Sequence, residues 1–113
     1  MYTVVRANEI EPSPGATVLF EGEPHGSGVS FFLVASEPGA GPVLHTHPYS
    51  ETWIVRAGAV RFTADGEDLD AAPGDIVVVG AETPHRFENV GSERLDMVCI
   101  HASPRLIQRD LEP

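Results

Sequence analysis

Short runs of apolar and β-branched residues recur along the chain, and turns containing glycine or proline, such as Pro14-Gly15 and Asp65-Gly66, separate them. Several runs alternate polar and apolar positions, which is typical of strands with one buried face. The pattern predicts strands at residues 2–6, 17–21, 29–36, 43–47, 52–57, 60–63, 68–71, 76–79, 85–89 and 94–101. Residues 104–113 are predicted to pack down as a short strand or a single turn. So many short strands in 113 residues indicate an all-β sandwich or barrel.

The alternation also predicts which side chains face the interior. Arg61 must be solvated, so its neighbours on the same strand point inward, and Asp96 makes the same assignment on the last long strand. On two further strands, Trp53 and Val55 face inward if Glu51 does, and Phe87 and Asn89 face inward if His85 does. Together the four strands predict an apolar and aromatic interior with few polar groups. The residues assigned to it are Glu51, Trp53, Val55, Val60, Phe62, His85, Phe87, Asn89, Leu95, Met97, Cys99 and His101.

Length and composition agree with one domain spanning residues 1–113. The single cysteine, Cys99, cannot form an intrachain disulfide, and the first residues lack the apolar segment of a signal peptide. The longest apolar runs are too short to cross a bilayer. These observations predict a cytoplasmic protein with no membrane partner.

The charge balance argues against further classes of partner. Seven arginines, no lysines and seventeen acidic residues give a formal charge of −10, which repels nucleic acid and anionic lipid. The absence of lysine excludes Schiff-base chemistry. We therefore expect a small-molecule ligand and no nucleic-acid partner.

Three histidines and one glutamate have a spacing that suits a single metal ion. His45 and His47 are two residues apart, so both imidazoles lie on one face of a strand. Glu51 opens the next strand, and His85 follows more than thirty residues later. Imidazole and carboxylate ligands together suit Fe, Mn, Ni, Zn or Cu better than Ca or Mg. The alternative is that these are structural histidines and that Glu51 is an exposed acid.

The segment from Gly39 to Gly58 resembles the first motif of the cupin family, G-x5-H-x-H-x3-E-x6-G, with every fixed position filled. The second motif, G-x5-P-x-G-x2-H-x3-N, is matched at Gly74, His85 and Asn89. Two positions depart from it, because Gly80 stands where proline is usual and Glu82 where glycine is usual. The resemblance implies a cupin jelly-roll barrel that holds one divalent transition metal ion through His45, His47, Glu51 and His85.

The cupin resemblance also implies dioxygenases, isomerases, decarboxylases and lyases as candidate activities. The apolar interior favours a dioxygenase, an oxidoreductase that acts on a small enolisable or aromatic compound, with Glu51 as a possible catalytic base. The alternative class is a cupin that binds a metal or small molecule without turnover. The sequence does not decide between them.

Five residues are candidates for the substrate pocket: Trp53, Phe62, Phe87, Tyr49 and His101. The first three are predicted to face the interior, and Tyr49 lies in the turn between the ligands. His101 is either an acid or base in the pocket or a surface histidine at a strand end, and the strand-end position favours the surface. A side-chain-filled barrel without a pocket is the competing interpretation.

Two features predict a homodimer. Residues 2–5 are β-prone and precede the barrel strands, so they can add to the sheet of a second chain. Val98 and Ile100 are the outward residues of the last long strand, which leaves an apolar strip on a monomer. The cupin resemblance implies dimers as well.

Overall fold

The computed structural model describes residues 1–12 and 16–113, so the predicted turn at Pro14-Gly15 lies outside the described residues. Two 3-10 turns, Ala7–Glu9 and Glu23–His25, accompany ten strands. The strands are β1 (Val18–Phe20), β2 (Ser30–Ser36), β3 (His45–Thr46), β4 (Glu51–Ala57), β5 (Val60–Ala64), β6 (Glu67–Ala71), β7 (Ile76–Val79), β8 (His85–Asn89), β9 (Leu95–His101) and β10 (Arg109–Asp110).

The strands form two five-stranded sheets that face each other. The first has the order β1-β2-β9-β4-β7 and the second the order β10-β3-β8-β5-β6. Every paired strand is antiparallel. This arrangement confirms the predicted all-β jelly roll. Among the described residues, no helix is long and apolar enough to cross a bilayer.

The core lies between the two sheets and follows the alternation of the strands. Trp53 of β4 stacks on Phe62 of β5, with ring centroids 4.1 Å apart and an angle of 9° between the ring planes. On β9, every second residue is buried, and the residues between them are half-buried. The predicted interior positions are buried, except that Phe87 is only partly so.

Residues 2–6 do not form the predicted strand. The chain there is extended at Arg6, and the first regular element is the 3-10 turn Ala7–Glu9. Tyr2 is 87% exposed and Val4 is 50% exposed, so the barrel buries little of this apolar segment. The β-propensity of these residues is real, but a strand also needs a partner strand, and the two sheets offer none here.

The outer face of the first sheet is apolar. Strand register places two rows of side chains across all five strands, and only one of the ten residues is polar. The rows are Val18, Leu33, Val98, Ile54 and Ile76, and Phe20, Phe31, Ile100, Thr52 and Val78. Ile76 is 64% exposed and Val78 is 67% exposed. We call these two rows the outer apolar face.

Gly58 shows why the first motif ends on glycine. It joins β4 to β5 with a φ of 95°, a conformation that side chains with a Cβ rarely adopt. A Cβ at this position would also come within 2.9 Å of the backbone oxygen of Arg94. The glycine therefore allows the close connection from β4 to β5 beside the start of β9.

Candidate metal centre

The two sheets bring the four predicted ligands together. β3 carries His45, which is directly opposite His85 of β8 in the second sheet. His47 follows β3, and Glu51 begins β4 in the facing sheet. One ligand atom from each of these four residues lies within 4.8 Å of the others. The group therefore spans the interior of the barrel and links one sheet to the other.

All four residues are buried, with at most 5% of any one exposed to solvent. A buried ionised carboxylate is costly unless a positive charge or hydrogen bonds compensate it. Burial alone would raise the pKa of Glu51, but its contacts with His101, His47 and His85 hold that pKa well below its usual value. Glu51 is therefore a carboxylate, as a metal ligand must be.

The hydrogen bonds of the three histidines fix which nitrogen faces the centre. Nδ1 of His45 donates to the carbonyl oxygen of Val43 at 2.6 Å, and Nδ1 of His85 donates to that of Thr83 at 2.7 Å. Nδ1 of His47 donates to the carbonyl oxygen of Ile107 at 2.8 Å. A carbonyl can only accept, so each Nδ1 carries a proton, and Nε2 is the nitrogen of each ring that is left to coordinate an ion.

The two carboxylate oxygens of Glu51 have different contacts. Oε1 lies 3.1 Å from Nε2 of His47 and 3.1 Å from Nε2 of His85. Oε2 accepts a hydrogen bond of 2.7 Å from the indole N–H of Trp53. Trp53 thus holds the carboxylate so that Oε1 points to the histidines. This role for Trp53 was not predicted from the sequence.

The arrangement fits a divalent transition metal ion. Oε1 of Glu51 and the Nε2 atoms of His47 and His85 converge on one point of the interior, where a single divalent ion would contact all three. Among the described residues, Nε2 of His47 and Nε2 of His101 are the buried side-chain atoms with no aligned hydrogen-bond partner. Burial lowers the pKa of His45, which keeps it neutral and able to coordinate. The predicted site for one divalent transition metal ion is therefore confirmed.

His101 lies in the centre and not on the surface, which corrects the favoured interpretation of the sequence. It is 1% exposed, and its Nε2 is 3.2 Å from Oε2 of Glu51. Its Nδ1 lies 2.7 Å from the hydroxyl of Tyr49. The alternation of β9 places this histidine inward, and that signal outweighs its position at the end of the strand.

A cavity of about 360 Å³ opens beside the metal centre. Its walls are mostly apolar and come from β2, β8, β9 and the loop before β3, and the histidines and Glu51 form its polar end. Its lining includes Phe32, Val34, Phe87, Cys99, Gln108 and Glu37. Burial raises the pKa of the Cys99 thiol well above its usual value, so Cys99 is a neutral, apolar part of the wall.

The five predicted pocket residues divide into two groups. Phe87 and His101 line the cavity. Trp53 and Phe62 lie outside the lining, because they stack on each other in the core. Tyr49 also lies outside it, since its ring stacks on His47 at a centroid distance of 5.1 Å.

The departures in the second motif change the turn without moving the ligand. Glu82, where the motif has glycine, adopts a φ of 63°, the left-handed conformation that glycine favours. Its backbone N–H donates to the carbonyl oxygen of His47 at 2.8 Å. The turn thus keeps the shape that glycine would give it, at a cost of roughly 1 kcal/mol in strain.

The chain belongs to the cupin domain family, whose pattern it matches over residues 32–101. It is 36% identical to polyketide synthase CurC of Streptomyces cyaneus over 73 residues, which cover 64% of this chain and 47% of that protein. It is 31% identical to an uncharacterised protein of Methanocaldococcus jannaschii over 67 residues, covering 58% of this chain and 54% of that protein. The chain thus spans about half the length of these relatives.

Solved structures of oxalate decarboxylases share the fold. A Bacillus subtilis oxalate decarboxylase variant matches with a TM-score of 0.82 and 28% identity, over 95% of this chain and 31% of that chain. Another structure of that enzyme, which has Mn(II) centres, matches with a TM-score of 0.76 and 27% identity, over 89% of this chain and 29% of that chain. The Lactobacillus farciminis enzyme, at 22% identity and a TM-score of 0.81 over 92% of this chain and 34% of that chain, shows the fold alone.

Proposed function

We propose that this protein is a metal-dependent dioxygenase that acts on a small enolisable or aromatic molecule. The observation that carries the proposal is the position of the centre: a buried group of three histidines and one glutamate faces an apolar cavity of about 360 Å³. A cavity of this size holds a small organic molecule. Four protein ligands leave at least one position open on a five- or six-coordinate ion.

The charges around the cavity favour a substrate with at most one negative charge. All seven arginines of the chain are exposed, and the described lining contains no arginine. A divalent ion with the Glu51 carboxylate has a net charge of +1, which one enolate neutralises, and the exposed Glu37 of the lining adds a further negative charge. A dianion would leave one unpaired negative charge in an apolar space, which is costly.

One relative supports this class of substrate. A polyketide is built from alternating carbonyl and methylene groups, so it is enolisable and can form aromatic rings. The likeness to polyketide synthase CurC covers 64% of this chain and about half of that protein. It therefore supports the chemical class of the substrate and does not identify a particular compound.

The residues have separate roles in the proposed reaction. His45, His47, His85 and Glu51 would hold the ion, which supplies Lewis acidity and a site for O2. Phe32 and Phe87 would hold the apolar body of the substrate and exclude water. Glu51, loosened from the ion and from the histidines that lower its pKa, would take the proton from the carbon between two carbonyl groups, with Trp53 orienting its carboxylate.

Oxygen uptake with pentane-2,4-dione as substrate tests the proposal. Cleavage of this diketone by O2 gives acetic acid and 2-oxopropanal, so one O2 is consumed per diketone and no reductant is needed. We expect uptake by protein loaded with Fe²⁺ or Mn²⁺, and a loss of at least about 100-fold in kcat for Glu51→Gln, since a general base contributes 10²–10⁴-fold. The matched control is Glu9→Gln in the exposed first 3-10 turn.

Three results separate this proposal from its alternatives. Conversion of oxalate to CO2 and formate without net O2 uptake would replace the dioxygenase with a decarboxylase, the activity of the structural neighbours. Isomerase or lyase activity would likewise appear as product without O2 consumption. Saturable binding of several diketones and catechols to the metal-loaded protein, with no turnover, would favour the non-catalytic cupin.

We also propose that the protein assembles as a homodimer through the outer apolar face. Light scattering at micromolar concentration should report about twice the chain mass of 12.1 kDa. Val78→Asp should shift the protein toward monomer, because Val78 is already 67% exposed and a charge there disturbs the interface more than the fold. Leu69→Asp is the matched control, since Leu69 is 55% exposed on the other sheet. A monomeric unmodified protein would contradict this proposal.

A further inference from the structure

The last part of the chain contacts a metal ligand directly. We call residues 103–112 the C-terminal strap. The carbonyl oxygen of Ile107, in the strap, accepts the hydrogen bond from Nδ1 of His47 at 2.8 Å. His45 and His85 use carbonyl groups only two residues before them, at Val43 and Thr83. Only His47, among the three, depends on a residue 60 positions away in sequence.

A second contact ties the strap to the other side of the centre. The hydroxyl of Tyr49 accepts the backbone N–H of Ile107 at 3.2 Å and lies 2.7 Å from Nδ1 of His101. The backbone carbonyl of Ile107 therefore bonds to a metal ligand, and its N–H bonds to Tyr49 beside the metal centre. Gln108, the next residue, lines the cavity.

The strap also completes the sheet that carries the ligands. β10 pairs with β3, so that Arg109 lies opposite Thr46 and Asp110 opposite His45. Beyond β10, the N–H of Leu111 donates to the carbonyl oxygen of Leu44, and the N–H of Leu44 donates to Oε1 of Glu112, each at 2.8 Å. These bonds fix the start of β3 along the edge that does not pair with β8.

The strap buries few of its own side chains. From residue 104 to 111, every residue but Leu106 is exposed. A segment held mainly by hydrogen bonds, with little buried apolar surface, opens at a small free-energy cost compared with the core strands. Opening it would leave Nδ1 of His47 without an acceptor and would remove Gln108 from the cavity lining. The docked strap and the correctly oriented His47 therefore depend on each other.

We propose that the C-terminal strap is a positioning element of the metal centre, and that metal binding and strap docking stabilise each other. Ile107 fixes the tautomer of His47, which leaves Nε2 free to coordinate. A bound ion in turn holds His47 in the orientation that the Ile107 carbonyl requires. Coupling of this kind is reciprocal in free energy, so metal should dock the strap as much as the strap tightens metal binding. The inference rests on the metal site of the proposed function and not on its reaction.

Hydrogen exchange on the full chain tests one direction of the coupling. The backbone N–H groups of Ile107 and Leu111 should exchange at least about 10-fold more slowly with saturating Co²⁺ than without metal. The amides of β6, which do not contact the centre, serve as the internal reference and should change less. Equal exchange of the two strap amides with and without bound Co²⁺ would overturn the proposal.

A pair of substitutions tests the other direction. Tyr49→Phe with Glu112→Ala removes the hydroxyl and the carboxylate that hold the strap, and it leaves all four metal ligands in place. Loss of a partner that orients a ligand typically costs 10–100-fold in metal affinity, so we expect Kd for Co²⁺ to rise by about that factor. Tyr2→Phe with Glu9→Ala is the matched control, because it removes the same groups from the exposed first residues.

Conservative replacement of Glu112 separates positioning from general stability. Glu112→Gln keeps an oxygen that accepts the N–H of Leu44, so with Tyr49 intact it should retain near-normal Co²⁺ affinity. Unchanged Co²⁺ affinity in the Tyr49→Phe/Glu112→Ala variant would overturn the proposal. Absence of Co²⁺ binding by the unmodified protein would overturn the metal site itself. Normal binding without turnover would count against the reaction alone. These failures are therefore distinguishable.

Discussion

Replacement of both His45 and His85 by alanine should abolish stoichiometric metal binding. The unmodified chain should carry one divalent transition ion, held by His45, His47, Glu51 and His85. Loss of two imidazoles leaves one histidine and one carboxylate. Loss of a residue that only orients a metal ligand lowers metal affinity by roughly 10–100-fold. We expect a larger loss here, because these two histidines coordinate the ion themselves. Elemental analysis of protein purified without added metal, and again after loading and desalting, measures the change.

His25→Ala is the matched control for this double substitution. His25 lies in the 3-10 turn Glu23–His25, where it is exposed and stacks on Phe20 at a centroid distance of 5.1 Å. It should keep the metal content of the unmodified chain. Circular dichroism should show that the double variant still folds, since Trp53, Phe62 and the rest of the core are intact. Equal metal content in the unmodified chain and the double variant would refute the assignment of the centre.

The alternation of polar and apolar residues was enough to predict the interior. A single charged residue that must be solvated assigns every other residue of its strand, and Asp96 did this for β9. The same rule failed at residues 2–6, because β-propensity does not supply a partner strand. It also placed Trp53 and Phe62 correctly inside, but it could not show that they pack on each other and leave the cavity to Phe32 and Phe87.

The four ligands could be predicted from the sequence, because side chains two apart on a strand share a face and the cupin motif indicates Glu51 and His85. The groups that orient these ligands could not be predicted in the same way. The acceptor for His47 is a backbone carbonyl of Ile107, which any residue type could provide, so no sequence signal marks it. The hydrogen bond from Trp53 to Glu51 joins residues two apart on one strand, where the shared face is a signal that could have predicted it.

The stability that comes from metal should disappear in weak acid. Metal bound only by the folded chain adds about 2.7 kcal/mol at a concentration 100 times Kd. For a chain of this size, that corresponds to a rise in Tm of roughly 10–20 °C at pH 7.5. Coordination requires neutral imidazoles, and unfolded histidines titrate near pH ~6.5, so protons compete with metal below that value. We expect the effect of a chelator on Tm to shrink as pH falls through about 6.

The direction of the pH effect on the metal-free chain follows from two groups. The pKa of His45 is lowered in the fold, so the unfolded chain binds more protons and stability falls as pH drops below about 6.5. The pKa of Glu51 is also lowered, and its contribution is present above its unfolded value of about 4.3 and lost as pH falls further. The histidine and glutamate effects on stability therefore fall in separate pH ranges. Only the histidine effect falls in the range where metal is lost.

Scanning calorimetry from pH 5 to 8, with and without a chelator, measures both effects. The His45→Ala/His85→Ala variant is the reference, because a chelator should leave its Tm unchanged at every pH. A Tm that does not respond to the chelator at pH 7.5, with removal of the metal verified, would contradict metal-linked stability. A chelator effect of equal size at pH 5 and pH 7.5 would instead mean that the ligands do not titrate as imidazoles, and the three histidines would then not be the groups that hold the ion.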